Sequence, residues 1–366
     1  MSSRSPTETK NKNTGWKWAA LLGLTGTVCL GLTAGAYLLF RKPAVPKEKL
    51  RQRLSQALDA NPKSIFAYDP VLSYRLKPSF RGWRHDQEGM EHQTNSLGLL
   101  GKEEPDPERE RWLFLGDSVL YGEHVPAEKI FSALLAQNLG KNVQVLNAGC
   151  PGWSTHQELS FFRNHLSGLN PALTVVVFCL NDLLRFEWVW RDGESFRISE
   201  EVGGLGGLLA SHCRSLELIL LRRWLRSNAG LEALADLNNT CLTAWLSSNW
   251  SSFSKRTVPL LNSLPEPVIF LAVPARAQIE AFRDGGNPEI ILTPQHKLAE
   301  FCRDHNLGFI DAREAFRDGE AWRTDFYLRG ERGELHLSPA GHRALARFLN
   351  DILPRPDGGE SKLTPE

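Results

Sequence analysis

Five short apolar runs recur between residues 111 and 311, with longer stretches of helical periodicity between them. The apolar runs are 111–115, 143–146, 173–178, 268–273 and 308–311. The periodic stretches include 129–139, 157–166 and 295–305. Apolar runs of this length indicate strands that are buried on both faces, as in parallel sheets. The alternation of strand and helix therefore predicts an α/β fold, with a parallel sheet and helices on both faces.

One segment interrupts this alternation. A glycine-rich stretch at 203–207 is followed by a leucine-rich segment at 208–264 that is largely helical in pattern. We interpret it as a helical insertion over the sheet edge. It is either a lid over the site or a plain packing subdomain.

The N-terminal part predicts a membrane anchor. Residues 18–40 carry no charge, and 23 residues of helix span roughly 35 Å, enough to cross a bilayer. A cleaved signal peptide is the alternative, because the small residues at 34–36 resemble a cleavage site. Four basic residues precede the span and six follow it, which favours a cytoplasmic domain. A short basic tail before one span is also typical of exported anchored enzymes, and the exported side is our prediction.

Small residues recur every four positions within this apolar stretch. Gly23, Thr27, Gly31 and Gly35 would share one stripe of a helix. Such a stripe lets two helices approach closely, so a homodimer through it is a further hypothesis.

These features divide the chain into six segments. They are a polar tail at 1–17, a transmembrane helix at 18–40, a juxtamembrane linker at 41–66, a turn-rich entry region at 67–110, the main α/β domain at 111–353 and a disordered tail at 354–366.

Charge and cysteine content exclude several classes of protein. The chain has 43 basic and 42 acidic residues, whereas nucleic-acid binders usually carry a basic excess. Its six cysteines are too few, in a chain of 366 residues, for a disulfide scaffold. No closely spaced Cys or His cluster occurs, so a structural zinc site is not expected, and no cofactor is predicted.

Four candidate site residues follow predicted strands or precede a helix near the C-terminus. Ser118 lies in a Gly-Asp-Ser turn after the first strand, where a nucleophile would be presented. Gly152, after the second strand, offers an unobstructed N–H to an oxyanion, and Asn181, after the third, offers a side-chain amide. His336 precedes a helix that begins at Ser338-Pro339, a position suited to a general base.

These four blocks, in this order, resemble the SGNH (GDSL-type) hydrolase family, and the similarity covers residues 112–351 outside the insertion. The entry region also looks like that of membrane-anchored members. The resemblance implies a three-layer flavodoxin-like sheet. It implies that Ser118 is the nucleophile and that His336 is the general base. It further implies an oxyanion hole of the Ser118 and Gly152 N–H groups and the Asn181 side chain.

The chain departs from the family pattern at two positions. Cys179 replaces the Gly of the usual Gly-x-Asn-Asp block. Gly333 stands where the Asp of an Asp-x-x-His block would orient the histidine. Glu334 and Glu331 are the candidates for a displaced third triad member; a Ser–His dyad is the alternative.

The sequence thus predicts a single-pass membrane-anchored serine esterase or lipase, acting on an ester of a lipid or of an O-acylated carbohydrate. An O-acyltransferase acting on a cell-surface glycan would use the same Ser and His. A non-catalytic membrane-tethered binding protein on this fold is the third hypothesis, since Gly333 removes an expected catalytic group.

Overall fold

The computed structural model describes residues 47–59, 63–83, 90–183, 186–191, 194–199 and 205–354. The predicted anchor at 18–40, its small-residue stripe and all but the first residue of the predicted C-terminal tail lie outside these residues. No helix within the described residues is both long enough and apolar enough to span a membrane.

The described residues form thirteen strands and twelve α-helices. The strands are β1 (Phe66–Asp69), β2 (Ser73–Leu76), β3 (Arg81–Trp83), β4 (Glu91–Gln93), β5 (Glu110–Gly116), β6 (Val143–Gly149), β7 (Leu173–Phe178), β8 (Phe186–Arg191), β9 (Glu194–Ser199), β10 (Val268–Ala272), β11 (Gly308–Asp311), β12 (Arg317–Asp318) and β13 (Ala321–Trp322). The helices are α1 (Lys47–Asp59), α2 (Ser118–Tyr121), α3 (Phe131–Leu139), α4 (Thr155–Phe161), α5 (Leu205–Arg226), α6 (Glu232–Ala235), α7 (Asn239–Leu242), α8 (Ser247–Leu261), α9 (Arg276–Arg283), α10 (Pro288–Ile291), α11 (Thr293–Asp304) and α12 (Pro339–Ile352).

Five strands form one parallel sheet in the order β11-β10-β7-β5-β6. Numbered along the chain, this is the flavodoxin-like order 2-1-3-4-5. The predicted α/β class is therefore confirmed. The strand order reverses between β5 and β7, and ligands of open α/β sheets bind at such a reversal, beyond the carboxyl ends of the strands.

The two faces of the sheet are covered by separate apolar clusters. In β5, Leu113 and Leu115 belong to one cluster, whereas Trp112 and Phe114 belong to the other. Side chains alternate between faces along a strand, so a run that is buried on both faces is mainly apolar. This is the physical reason that mainly apolar runs predicted these strands, with Gln144 and Thr174 as buried polar exceptions.

The insertion packs on the domain through helices α5 to α8. Trp250 and Phe253 on α8 lie 5.9 Å, ring centre to ring centre, from Phe178 at the end of β7. Helix α5 begins at Leu205, inside the glycine-rich stretch at 203–207. The hairpin β8–β9 precedes the insertion and was not predicted.

The segment interpreted as a juxtamembrane linker contains α1, which packs on the domain. Its Leu54 and Leu58 are buried in the same cluster as Leu113. The entry region also joins this cluster through Leu72, Tyr74 and Leu99. Both segments therefore form part of the folded unit in the described structure.

Candidate active site

Ser118 lies where β5 ends and the four-residue helix α2 begins. Gly116 permits this sharp turn, because a Cβ there would lie 2.8 Å from the Cβ of Leu120 and 3.1 Å from that of Val177. Asp117 caps α2, with its Oδ1 accepting the Val119 N–H at 2.8 Å. The turn presents Ser118 at the reversal of strand order, with 6% of the residue exposed.

His336 reaches Ser118 from the opposite end of the chain. Its Nε2 lies 2.9 Å from the Ser118 Oγ. The loop that carries it is held to residue 328, whose N–H donates to the His336 carbonyl at 3.0 Å. Helix α12 follows directly, capped by the Ser338 Oγ, which accepts the Gly341 N–H. A nucleophile hydroxyl and an imidazole at this separation are arranged for proton transfer.

Gly152 lies in the loop after β6 with φ of +79°, a conformation that favours glycine. The entry region holds this loop: the Tyr74 hydroxyl donates to the Pro151 carbonyl at 2.8 Å, and the Trp153 indole donates to the Tyr74 carbonyl at 3.0 Å. Within the described part of the chain, neither the Ser118 nor the Gly152 N–H donates to a backbone carbonyl. Both N–H groups are therefore candidates for donating to a ligand oxygen.

Asn181 follows β7 in the 3₁₀ turn Leu180–Leu183, across the crevice from Ser118. Its Nδ2 donates to the Asp117 Oδ2 at 2.8 Å, and the same carboxylate oxygen lies 3.1 Å from the Ser118 Oγ. Asp117 thus links the amide to the residue that bears the hydroxyl. An amide nitrogen has two hydrogens, so one remains for an oxyanion.

Three buried acids lie beneath this turn. Asp117, Glu158 and Asp182 are each at most 1% exposed. Burial, reinforced by the charges of the other two, raises the pKa of Glu158 well above its usual value. Burial and then the Asp117 charge raise the pKa of Asp182 in the same direction. Burial therefore favours the protonated forms of Glu158 and Asp182 more than it would at an exposed position.

Cys179 fits its unusual position because its thiol and backbone both bond to Asp182. The Asp182 Oδ2 accepts the Cys179 N–H at 2.7 Å and lies 3.4 Å from the Sγ. Ligand atoms of Asp117, Cys179 and Asp182 lie within 4.8 Å of one another, a spacing that a metal ion would accept. Burial raises the pKa of the Cys179 thiol well above its usual value. A protonated thiol bonded to a carboxyl group suits a hydrogen-bond network better than it suits metal ligation.

Of the two candidates for the third triad member, the structure describes the side chain of Glu334 only. Both oxygens of Glu334 accept hydrogen bonds from Asn238, from its N–H at 2.7 Å and its Nδ2 at 2.6 Å. The side chain of Glu331 lies outside the described residues. At Gly333 a Cβ would lie 1.7 Å from the Leu328 carbonyl oxygen, so the backbone leaves no room for an aspartate.

Glu123 contacts His336 and was missed by the sequence analysis. Its Oε2 lies 3.2 Å from the His336 Nε2, and the Glu123 side chain is 11% exposed. It follows Ser118 by five residues, but nothing in the local sequence links it to position 336. The available signal was the Gly122 next to it, which ends α2 in a left-handed turn and sends the chain back towards Ser118.

The aromatic side chains near the site divide into two groups. Trp153, which follows Gly152, is 2% exposed and its ring centre lies 5.1 Å from that of Phe161, so it is a core residue. The side chains of Phe186, Trp188 and Trp190, the other aromatics after Asn181, are outside the described residues.

Comparisons with known proteins agree with the resemblance seen in the sequence. The model of the GDSL-like Lipase/Acylhydrolase family matches residues 114–344. No curated protein matches the chain.

Solved structures include similar proteins at low identity. The lipase/acylhydrolase from Enterococcus faecalis is 17% identical, with a TM-score of 0.39, covering 66% of this chain and 95% of its own. A carbohydrate acetylesterase family member from Sinorhizobium meliloti is 14% identical, with a TM-score of 0.37 and coverages of 66% and 95%. The aryl esterase of M. smegmatis is also 14% identical, with a TM-score of 0.34 and coverages of 66% and 96%. Similarity at this level identifies no substrate.

Proposed function

We propose, from the premise that this chain belongs to the GDSL-like lipase/acylhydrolase family, that it hydrolyses carboxylic esters with Ser118 as nucleophile and His336 as general base. The observation that supports these roles is the 2.9 Å separation of the Ser118 Oγ and the His336 Nε2. It joins residues 218 positions apart at the place in the sheet where ligands bind. A non-catalytic scaffold would have no need of this contact.

The reaction would proceed through an acyl-enzyme. His336 takes the Ser118 proton as the oxygen attacks the ester carbonyl, and then passes it to the departing alcohol. Water, activated by the same imidazole, next attacks the acyl group and regenerates Ser118. No step requires a metal or an organic cofactor.

The oxyanion formed at each attack would be held by three donors. These are the N–H groups of Ser118 and Gly152 and the second Nδ2 hydrogen of Asn181. Donors that are fixed before the reaction stabilise the developing charge without reorganisation, and each contributes roughly 2.7–4 kcal/mol. The tethers from Tyr74 to the Gly152 loop, and from Asp117 to Asn181, supply that rigidity.

The anchor at 18–40 would hold the enzyme at a membrane, with the catalytic domain on the exported side. The uncharged length of the segment supports the anchor. The short basic tail before a single span, an arrangement typical of exported anchored enzymes, supports the exported side. Lipid esters and O-acylated envelope carbohydrates are both accessible from that position.

Hydrolysis of p-nitrophenyl esters of short and long acyl chains tests the proposal. We expect wild type to turn over at least one of them, and Ser118→Ala to lose about 10⁴-fold or more in kcat. Ser252→Ala, on the exposed side of α8, is the matched control and keeps full activity. Activity retained in Ser118→Ala would contradict the proposal. Capture of the acyl group by an added sugar, in preference to water, would identify a transferase instead.

A further inference from the structure

Glu123 is held close to the nucleophile by the backbone. Gly122 ends α2 at φ of +73°, and a Cβ there would lie 2.4 Å from the Ile130 side chain. The N–H groups of both Gly122 and Glu123 donate to the Ser118 carbonyl, at 3.1 and 3.2 Å. The position of Glu123 is thus coupled directly to that of Ser118.

The Glu123 carboxylate meets the same imidazole nitrogen as Ser118 does. Nε2 lies 3.2 Å from the Glu123 Oε2 and 2.9 Å from the Ser118 Oγ. A carboxylate can only accept a hydrogen bond, whereas a serine hydroxyl can also donate one. When Nε2 is bare it accepts from Ser118, and once it carries the proton it can donate to Glu123.

Both side chains are largely shielded from water, with 20% of His336 and 11% of Glu123 exposed. A charge-assisted hydrogen bond in such surroundings is stronger than one at an open surface. The expected aspartate at position 333 is sterically excluded, and Glu334 is bound to Asn238. Among the carboxylates whose side chains the structure describes, Glu123 is the one placed against this imidazole.

We propose that Glu123 is the carboxylate partner of His336, stabilising the protonated imidazole from the side of the nucleophile. This inference rests on the proposed function. As the Ser118 Oγ bonds to the ester carbon, its proton moves to Nε2 and the carbonyl electron pair moves to the oxyanion. When the intermediate collapses, the bond to the alcohol oxygen breaks and that oxygen takes the proton from Nε2. Glu123 exchanges no proton in these steps, and its carboxylate balances the charge of the imidazolium.

This placement differs from that of the usual triad acid, which binds the other ring nitrogen. In the Nδ1–H tautomer, which the general-base role requires, Nε2 carries a proton for Glu123 to accept only after Ser118 has been deprotonated. Its effect therefore belongs to the transition state and appears in kcat rather than in substrate binding.

The test compares Glu123→Gln with wild type on the best p-nitrophenyl ester. We expect kcat to fall by about 10- to 100-fold, the loss of one hydrogen bond to a charged group, with KM changed less than about threefold. Glu128→Gln, exposed in the turn five residues further along, is the matched control and keeps the wild-type kcat. A kcat within about twofold of wild type, or a loss confined to KM, would overturn the role.

A second pair of variants separates charge from fit. Glu123→Asp and Glu123→Asn have the same shortened length, and only the first keeps the charge. The proposal requires the Asp variant to be several-fold faster; equal rates would overturn it, even where Glu123→Gln fails to fold. Ser118→Ala is measured alongside: if it remains active, the proposed function itself fails, and if it alone is inactive, only the role of Glu123 is lost.

Discussion

Gly333 occupies a position at which the backbone excludes any side chain. Its Cβ would lie 1.7 Å from the carbonyl oxygen of Leu328, whose N–H in turn bonds to the His336 carbonyl. The departure from the Asp-x-x-His pattern is therefore built into the path of the loop. Replacing one side chain cannot restore the usual acid.

We expect Gly333→Ala to lower both stability and kcat. The added methyl group must displace the loop segment at Leu328, which holds the loop that carries His336. Adding a methylene or methyl group to a packed site typically lowers the free energy of unfolding by about 1–3 kcal/mol. Thermal unfolding and ester hydrolysis measure the two effects. Gly168→Ala is the control, since a Cβ there meets no atom within 4 Å. A Gly333→Ala protein with wild-type melting and turnover would contradict this account, as would a gain of activity in Gly333→Asp.

Glu158 is a buried acid whose two carboxyl oxygens have no hydrogen-bond partner in the described structure. Burial first, and then the Asp182 and Asp117 charges, raise its pKa well above the ordinary 4.5. The folded protein therefore binds this proton more tightly than the unfolded chain does. The resulting stabilisation is full below the unfolded pKa and is lost as the pH rises through the folded pKa.

Glu158→Gln removes this titration, so we expect its melting temperature to rise relative to wild type as the pH increases from about 5 to about 9. Calorimetry at a series of pH values measures the difference. Glu300→Gln, on the exposed face of α11, is the control. Its melting temperature relative to wild type should not rise between pH about 5 and about 9. A difference between Glu158→Gln and wild type that is constant with pH would show that Glu158 does not titrate in this way.

At the scale of elements, α5 presents one buried and one exposed apolar face. Leu218 and Leu225 are 7% and 0% exposed, whereas Leu216 and Leu220 are both 57% exposed. Hydrophobic content alone therefore indicated a helix here without indicating which residues stabilise it. That distinction depends on the packing of α6 against α5, which brings Leu234 and Ala235 into the same cluster as Leu225.

Alanine substitution on the two faces separates their contributions. Leu225→Ala should lower the free energy of unfolding by about 2–5 kcal/mol, because it leaves a cavity in a packed core. Leu220→Ala, five positions away on the same helix, should change it by no more than about 0.5 kcal/mol. Chemical denaturation measures both. Equal effects would mean that the insertion does not contribute to the core as the structure shows.

The main sheet elements were predictable because their signals are local. The run at 111–115 became β5, Glu110–Gly116, and 308–311 became β11 without change. The hairpin β8–β9, whose strands pair with each other outside the main sheet, was not predicted. The contacts of Glu123 and Glu334 could not be predicted, since they join residues 213 and 96 positions apart through the packing of several elements.

For the molecule as a whole, the order of the strands determines where the candidate site lies. Ser118 and Asn181 follow the two strands, β5 and β7, between which the order reverses, and His336 reaches them from the loop before α12. The residues of the site were predicted from the resemblance of four separate motifs. Their roles remain predictions, as do the anchor at 18–40, the exported location and the homodimer.

The most direct test of the central claim is covalent labelling of the purified protein by a fluorophosphonate, with the modified peptide identified by mass spectrometry. An activated Ser118 predicts one label per chain on that residue, no label in Ser118→Ala, and much slower labelling in His336→Ala. A folded wild-type protein that remains unlabelled, or a Ser118→Ala protein that is labelled at the same rate, would contradict the claim that Ser118 and His336 form a nucleophilic pair.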